Sequence, residues 1–378
     1  VAPAPADSAP LPRDPVTVLR NLGDLATPMA LRVAATFRIV DHLNAGTTRL
    51  ADLAVATELP EDVLGRVLRH LVAVDVLTEM PAGTFAPTAV GALLAHGHPQ
   101  SAAGWLNTEH MMGRADLAFV DLLKAMWSGH TAYRLRYGTD FWADALAANR
   151  SATFDAAMAR DGKASFRAVN AAYDWSGVRH VLDVGGGNGT LLRALLRGQP
   201  HLRATLLELS GPAAAARAAF DRAGLTDRVD IVVGNFFEPF GARADVIVLS
   251  AILHHWKDAD AERILRRCSE ALTPGGRVLL IERAPGRNEL DAEFTRADLS
   301  TLVYLGGRER TRDEWVDVVD RAGFTVATVS RPLDRQGRRL VELQPADGAS
   351  EPPPEERRRA ARAGRRRQHA RRRARIPT

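Results

Sequence analysis

Two histidines stand side by side in ILHHWKD (252–258), directly after the apolar run Val246, Ile247, Val248 and Leu249. An imidazole titrates near neutrality, so at the end of a buried strand it can take a proton from a reacting group. A soluble turn is the plainer reading of the same residues. A metal site is not expected, because His254 and His255 have no third ligand at suitable spacing and Cys268 is the only cysteine. The second stretch with chemistry in it is VLDVGGGNG (181–189), in which Gly185, Gly187 and Gly189 make a G-x-G-x-G turn. Glycine lets the backbone bend sharply and lets a ligand approach without meeting a Cβ. The dinucleotide fingerprint requires a sixth-position glycine where Thr190 stands, and the loop lacks the lysine of a phosphate-cradling loop.

The acids near that turn narrow the ligand further. Asp183 lies just before it, and a carboxylate there suits a cationic ligand better than a polyphosphate. Glu208 closes ATLLEL, nineteen residues past Gly189, where an acid accepts hydrogen bonds from both ribose hydroxyls. Asn235 and Phe236 follow the next apolar run, where the edge and face of an adenine would lie. An adenosine carrying a positive, non-phosphate appendage meets all of these requirements, and S-adenosylmethionine is such a ligand.

The elements that must hold these residues are visible as a change of rhythm. From Val178 onward short apolar strands alternate with helices: HVLDVG, TLLRALLRGQ, ATLLEL, AAAARAAFDRAG, VDIVVG, DVIVLS, DAERILRRCSEAL and GRVLLIER. Repeated βα units predict a parallel doubly wound α/β sheet with its ligands beyond the carboxyl ends of the strands. Residues 176–346 are expected to form this domain. Residues 16–100 have helical spacing, with two helices split at Leu59-Pro60 and a GTFAPT segment after them that suits a hairpin wing. A winged helix reads first as DNA-binding, but the second helix offers only Arg66 and Arg69 as strong cations, opposed by Glu61 and Asp62. Dimerisation is the better expectation, and nucleic acid is not an expected partner. Residues 101–175 are helical and rich in aromatic and sulfur side chains, suited to core packing and to lining a pocket for a flat apolar ligand.

Composition bounds the rest. The 378 residues are 46% hydrophobic and 25% charged, ordinary for a globular protein of more than one domain. The net charge of +5 is misleading, because residues 351–378 hold eleven Arg against three Glu and the remainder of the chain is net negative. Residues 1–15 read as a disordered leader and 347–378 as a disordered Arg-rich tail. A single cysteine, no secretory signal and no uncharged apolar run long enough for a bilayer lead to an expected cytoplasmic location with no membrane partner.

VLDVGGGNG, LLEL, GNFFEP, ILHHWKD, LTPGGRVLLIER and GGRERT occur in this order and spacing. Together they resemble the S-adenosylmethionine-dependent O-methyltransferases of the caffeate and acetylserotonin type, especially the bacterial branch that tailors aromatic polyketides. The similarity covers roughly residues 15–345. It implies a Rossmann-like class I methyltransferase domain preceded by a mainly α winged-helix dimerisation domain, a homodimer, and a small aromatic substrate. Position by position, it implies that Gly185 and Gly187 hold the methionine end of the cofactor and Glu208 its ribose. Asn235 and Phe236 take the adenine, Ser250 faces the methionine part and Trp256 packs near it. The family base, the first histidine of an H-D-W triplet, maps onto His254, with His255 in the Asp place. Glu282 and Glu309 map onto the acids that orient the base and the acceptor hydroxyl. Tyr137, Met158, His255 and Asp298 fall at substrate-contact positions. A phenolic hydroxyl of a polycyclic natural product is the expected acceptor. The rival within the branch binds the same cofactor but decarboxylates or hydroxylates an anthracycline-like substrate; the rival outside it is a winged-helix DNA-binding regulator.

Overall fold

The computed structural model describes residues 14–81, 83–147 and 163–346. Residues 1–13 of the expected leader, the tail and Met158 lie outside them, whereas Asp14 and Pro15, assigned to the leader, begin the first helix. The chain divides into two compact units, residues 1–120 with 147–157, and residues 121–146 with 158–378. The aromatic-rich segment 101–175 is therefore shared between the two and does not stand alone.

The first unit opens with α1 (Pro15–Leu22), whose proline sits at the first helical position and whose Asp14 side chain accepts from the Thr17 N–H. Helices α2 (Ala26–Thr36), α3 (Ile39–Asn44), α4 (Leu50–Thr57) and α5 (Glu61–Ala73) follow, then a hairpin of β1 (Leu77–Met80) and β2 (Thr84–Pro87). Pro60 ends the α4–α5 connection because it has no N–H to continue a helix, and Leu64, Leu68 and Leu71 repeat at helical spacing to bury one face of α5. These leucines share a core with Ile39, Leu53 and Phe85. Short helices α6 (Ala103–Leu106) and α7 (Met111–Asp116) complete the described part of the unit.

The second unit begins with α8 (Leu122–Ser128), α9 (Ala132–Tyr137), α10 (Phe141–Ala147) and α11 (Lys163–Ala172). Then the βα alternation builds β3 (His180–Val184), α12 (Thr190–Gly198), β4 (Arg203–Glu208), α13 (Ser210–Ala223), β5 (Val229–Val233), β6 (Ala244–Ser250), α14 (Asp258–Ala271) and β7 (Leu272–Arg283). After it come α15 (Ala292–Tyr304), α16 (Arg312–Arg321), β8 (Phe324–Val329) and β9 (Arg338–Pro345). The sheet order is β5-β4-β3-β6-β7-β9-β8. Strands β3 to β7 are parallel, and helices on both faces explain why β6 and β7 read as unbroken apolar runs. The sequence of strands reverses direction between β3 and β6, which opens a crevice at their carboxyl ends.

One edge departs from the all-parallel expectation. Strand β9 pairs antiparallel with both β7 and β8. The link from β8 to β9 is too short to hold a crossover helix, so the chain can only turn back on itself. The edge still bears on the site, because the pairing Glu282↔Arg339 fixes the end of β7.

Candidate active site

The turn after β3 is shaped by backbone requirements. Gly185 and Gly187 have φ of +71° and +58°, a region that side chains with a Cβ rarely adopt. A Cβ on Gly186, a position the sequence reading passed over, would lie 2.2 Å from Asp183 Oδ2. The turn is tied to β4 by the Gly187 N–H, which donates to Glu208 Oε2 at 2.9 Å, while Leu209 N–H donates to Oε1 at 2.7 Å. A carboxylate has about four acceptor sites, so Glu208 keeps capacity for two further donors such as vicinal hydroxyls.

Asp183 is fully buried and neither of its oxygens has a partner. Burial, followed by the nearby charge of Glu208, pushes its pKa up to about 7. An orphaned buried carboxyl is costly unless a donor or a cation arrives. Beside it, Phe236 and Phe237 meet the Trp256 ring edge-on at 5.8 and 4.8 Å, and Trp256 Nε1 is buried without a partner. Asn235 is exposed, and its Oδ1 accepts from the Phe237 N–H at 3.0 Å, leaving one lone pair and the amide for a base edge. Ser250 closes β6 opposite Ile281 of β7. These residues fit a cationic adenosine ligand: one unsatisfied acid, spare ribose acceptors on Glu208 and an aromatic wall, together with the glycine turn.

The second half of the site lies at the ends of β6 and β7. His254 is on a short 3₁₀ turn, Leu253–His255, and its Nδ1 is 2.7 Å from Glu282 Oε2. The other oxygen of Glu282 accepts from the N–H groups of Ile252 and Leu253 at 3.0 and 2.9 Å. Glu282 thus acts as an acceptor throughout, which places the ring proton on Nδ1 and leaves the Nε2 lone pair available as the basic atom. Burial alone lowers the basicity of His254, but the charges of Glu282 and Glu309 outweigh it and the net pKa is raised.

Glu309 reaches the site by another route than Glu282. Its Oε1 accepts from Arg283 Nη1 at 2.9 Å, its Oε2 is buried with no partner, and its own N–H donates to Asp298 Oδ1 at 2.8 Å. No hydrogen bond joins it to His254; the two communicate through charge. Asp298 accordingly positions Glu309. His255 is half-buried and packs against His254, with ring centroids 4.2 Å apart, and against Trp142 at 5.3 Å. Burial and the neighbouring His254 lower its pKa well below the usual histidine value. From Trp142 a row of rings runs through Phe141 and Tyr133 to Tyr137, which lies 4.8 Å from Tyr133. Tyr133 donates to Asp144 at 2.6 Å, so this aromatic row is anchored by a buried hydrogen bond.

Three residues that the sequence reading did not single out as site candidates contact the site. Arg283 engages Glu309, Trp142 walls His255, and Arg310 bonds the loop that carries both histidines. Arg310 lay inside the quoted GGRERT, and its place between the site acid Glu309 and the helix-capping Thr311 was the available signal.

A family model described as an O-methyltransferase domain matches residues 119–325, and one described as an O-methyltransferase dimerisation domain matches residues 19–97. The chain belongs to this family, enzymes that take a methyl group from S-adenosylmethionine. Among its relatives, aclacinomycin 10-hydroxylase RdmB of Streptomyces purpurascens is 48% identical over 84% of this chain and 87% of its own. The 2,7-dihydroxy-5-methyl-1-naphthoate 7-O-methyltransferase of Streptomyces carzinostaticus is 44% identical over 82% of this chain and 92% of its own. The crystal structure of NcsB1, an O-methyltransferase from neocarzinostatin biosynthesis in complex with S-adenosylmethionine and 2-hydroxy-5-methyl naphthoic acid, superposes with a TM-score of 0.81. It is 42% identical, and the match covers 86% of this chain and 98% of that one. Among the described residues no helix is long and apolar enough to cross a membrane.

Proposed function

We propose that this enzyme methylates a phenolic hydroxyl of a polycyclic aromatic natural product of the polyketide type, with His254 as general base. The observation that supports this most directly is the 2.7 Å contact between His254 Nδ1 and a Glu282 whose second oxygen is already engaged. A phenol has a pKa near ~10, so about one molecule in a thousand is ionised at neutral pH. His254 Nε2 accepts the hydroxyl proton as the oxygen forms its bond to carbon, and Glu282 and Glu309 stabilise the imidazolium that results. Such help is typically worth about 10²–10⁴ in rate. Bound S-adenosylmethionine would supply the electrophilic methyl group, losing its sulfur–methyl bond as the oxygen–carbon bond forms and leaving as S-adenosyl-L-homocysteine. Toward it, Asp183 offers an anion for the positive amino-acid end, Glu208 the ribose acceptors, Phe236 and Trp256 an apolar wall, and Ser250 a hydroxyl. Tyr137, His255 and Asp298 lie on the acceptor side, with His255 neutral and able to donate or accept.

The relatives that act on naphthoate and on aclacinomycin support a fused aromatic acceptor. The same pair keeps a second reading in play, because the 48%-identical relative is a hydroxylase. His254→Ala separates the two. Methyl transfer to dihydroxynaphthoates and hydroxyanthraquinones should fall by about 10²–10⁴ with donor binding intact by calorimetry. A wild-type enzyme that adds no methyl to any phenol of that panel, yet hydroxylates an anthracycline, would establish the hydroxylase instead. For assembly, α1 buries none of its residues within one chain and leaves Val16, Leu19 and Leu22 exposed, with Leu25 beyond it. A second copy is the proposed cover, and Leu22→Asp should shift the light-scattering mass from dimer toward monomer.

A further inference from the structure

Arg310 has no solvent exposure, yet carries a full charge. A buried guanidinium is tolerated when its donors are all engaged in good geometry. Here Nε and Nη2 donate to Asp258 Oδ1 at 3.0 and 2.8 Å, Nη2 also donates to Trp256 O at 2.8 Å, and Nη1 donates to Leu253 O at 3.1 Å and Arg308 O at 3.3 Å. Its flat face lies 4.9 Å from the centre of the Trp315 ring. Leu253 and Trp256 bracket His254 and His255. The guanidinium therefore grips the base-bearing turn at both ends.

The rest of the same loop closes on the middle of the turn. The Arg308 N–H donates to His254 O at 2.9 Å, and Gly307 packs so closely that a Cβ there would come within 2.3 Å of that oxygen. On the opposite side, Glu282 holds the N–H groups of Ile252 and Leu253 and the imidazole itself. The turn is thus held by its carbonyls from one side and by its amides from the other.

We propose that Arg310 is a positioning residue for methyl transfer: it locks the Leu253–Trp256 turn in the one register that brings His254 Nδ1 onto Glu282. The proposal rests on His254 being the base. Lysine cannot replace it, because one ammonium on a flexible stem cannot span Leu253 O, Trp256 O and Asp258 together. Asp258 supplies a gentler probe, since it is partly exposed and also accepts from the exposed Arg321 at 3.1 Å. The charged and titratable groups facing His254 are Glu282 and Arg283 from β7, Glu309 from the 306–311 loop, and neighbouring His255. Loosening the turn separates His254 from Glu282 and removes the strongest influence that favours its protonated form.

The test compares Arg310→Lys, Asp258→Asn and, as a control on the outer partner, Arg321→Gln in the full chain. It measures kcat, acceptor KM, donor Kd and the pH profile, with rates corrected for the folded fraction. Arg310→Lys should lower kcat by about 10²-fold, the cost of a displaced catalytic group, with donor Kd changed by no more than about threefold. The acid limb of kcat/KM should move to lower pH. Asp258→Asn should show the same signature at about a tenth of the size, and Arg321→Gln should match wild type. If Arg310→Lys loses thermal stability but keeps kcat and the acid limb, the proposal falls. If Arg310→Lys does not fold, Asp258→Asn decides: a lower kcat with a shifted limb upholds the proposal, and an unmoved limb overturns it. Full activity in His254→Ala would overturn the base itself, whatever Arg310 does.

Discussion

The two halves of the site are built on opposite plans. On the glycine-turn side, acceptor capacity is left open: Asp183 is buried with both oxygens free, and Glu208, bonded to the Gly187 and Leu209 N–H groups, has spare acceptor sites. On the histidine side, most polar groups are already engaged: Glu282 makes three hydrogen bonds, and Arg310 and Arg308 take the turn's carbonyls, while Glu309 keeps one oxygen open. A binding half can leave its groups unsatisfied, because the ligand completes them and the gain appears as affinity and selectivity. A catalytic half gains by being finished beforehand, because any reorganisation at the moment of proton transfer would add to the barrier.

Beyond His254→Ala, the largest expected effect is that of Glu282→Gln, which attacks the half that is already engaged. A Gln can still accept from the backbone N–H groups but removes the charge, so kcat should fall by about 10²-fold, at the low end for general-base help. The acid limb of kcat/KM in the wild type should lie above the ordinary histidine value, since the net shift of His254 is upward; in Glu282→Gln it should drop below the wild-type position. In stability terms the sign is that of a raised base: the His254–Glu282 pair contributes fully below the unfolded pKa of about 6.5 and is lost as pH rises through the folded value. Chemical denaturation of wild type and Glu282→Gln across pH 6 to 9 would check this.

Asp183→Asn probes the unfinished half, with a smaller effect and an opposite sign in the free enzyme. Asp183 has a raised folded pKa, so the folded state binds its proton more tightly than the unfolded chain does. Stability without ligand should therefore decline as pH rises from about 4 to about 7 in the wild type. Asn removes that decline, so melting temperature near pH 8 should rise while affinity for S-adenosylmethionine falls by about tenfold. A variant that loses stability instead would mean that Asp183 is satisfied internally. Calorimetry in two buffers of different ionisation heat should also show proton release when the donor binds at pH 6.5. The smallest effect belongs to Trp256→Phe, which keeps the ring packing against Phe236 but deletes the unpartnered Nε1; donor Kd should change by no more than about threefold. A larger loss would show that Nε1 binds the ligand directly.

Much of this enzyme is legible along the chain because the relevant physics is local. Alternating apolar runs of strand and helix length marked β3 to β7, Pro60 marked the break between α4 and α5, and the run of glycines marked the turn. The residues T-R-D-E at 311–314 have the spacing of a capping box, and the structure has both of its hydrogen bonds. Spacing alone is silent where partners are far apart, and it was the family resemblance that put Glu282 beside the base. Glu282 meets His254 across 28 residues, Arg310 meets Leu253 across 57, and neither spacing carries a period. The antiparallel edge was missed for a related reason: a strand pattern says nothing about which neighbour it will pair with.

The sequence by itself determined the order of elements, the glycine turn, and the residue types at each strand's carboxyl end, since these follow from backbone conformation and from burying apolar faces. Only the tertiary structure decided which acid orients His254, that Glu309 is held by Arg283, and that Asp183 stands unpartnered. Those outcomes depend on strand order and on side-chain packing between segments distant in the chain, where a difference of one ångström separates a hydrogen bond from an empty contact.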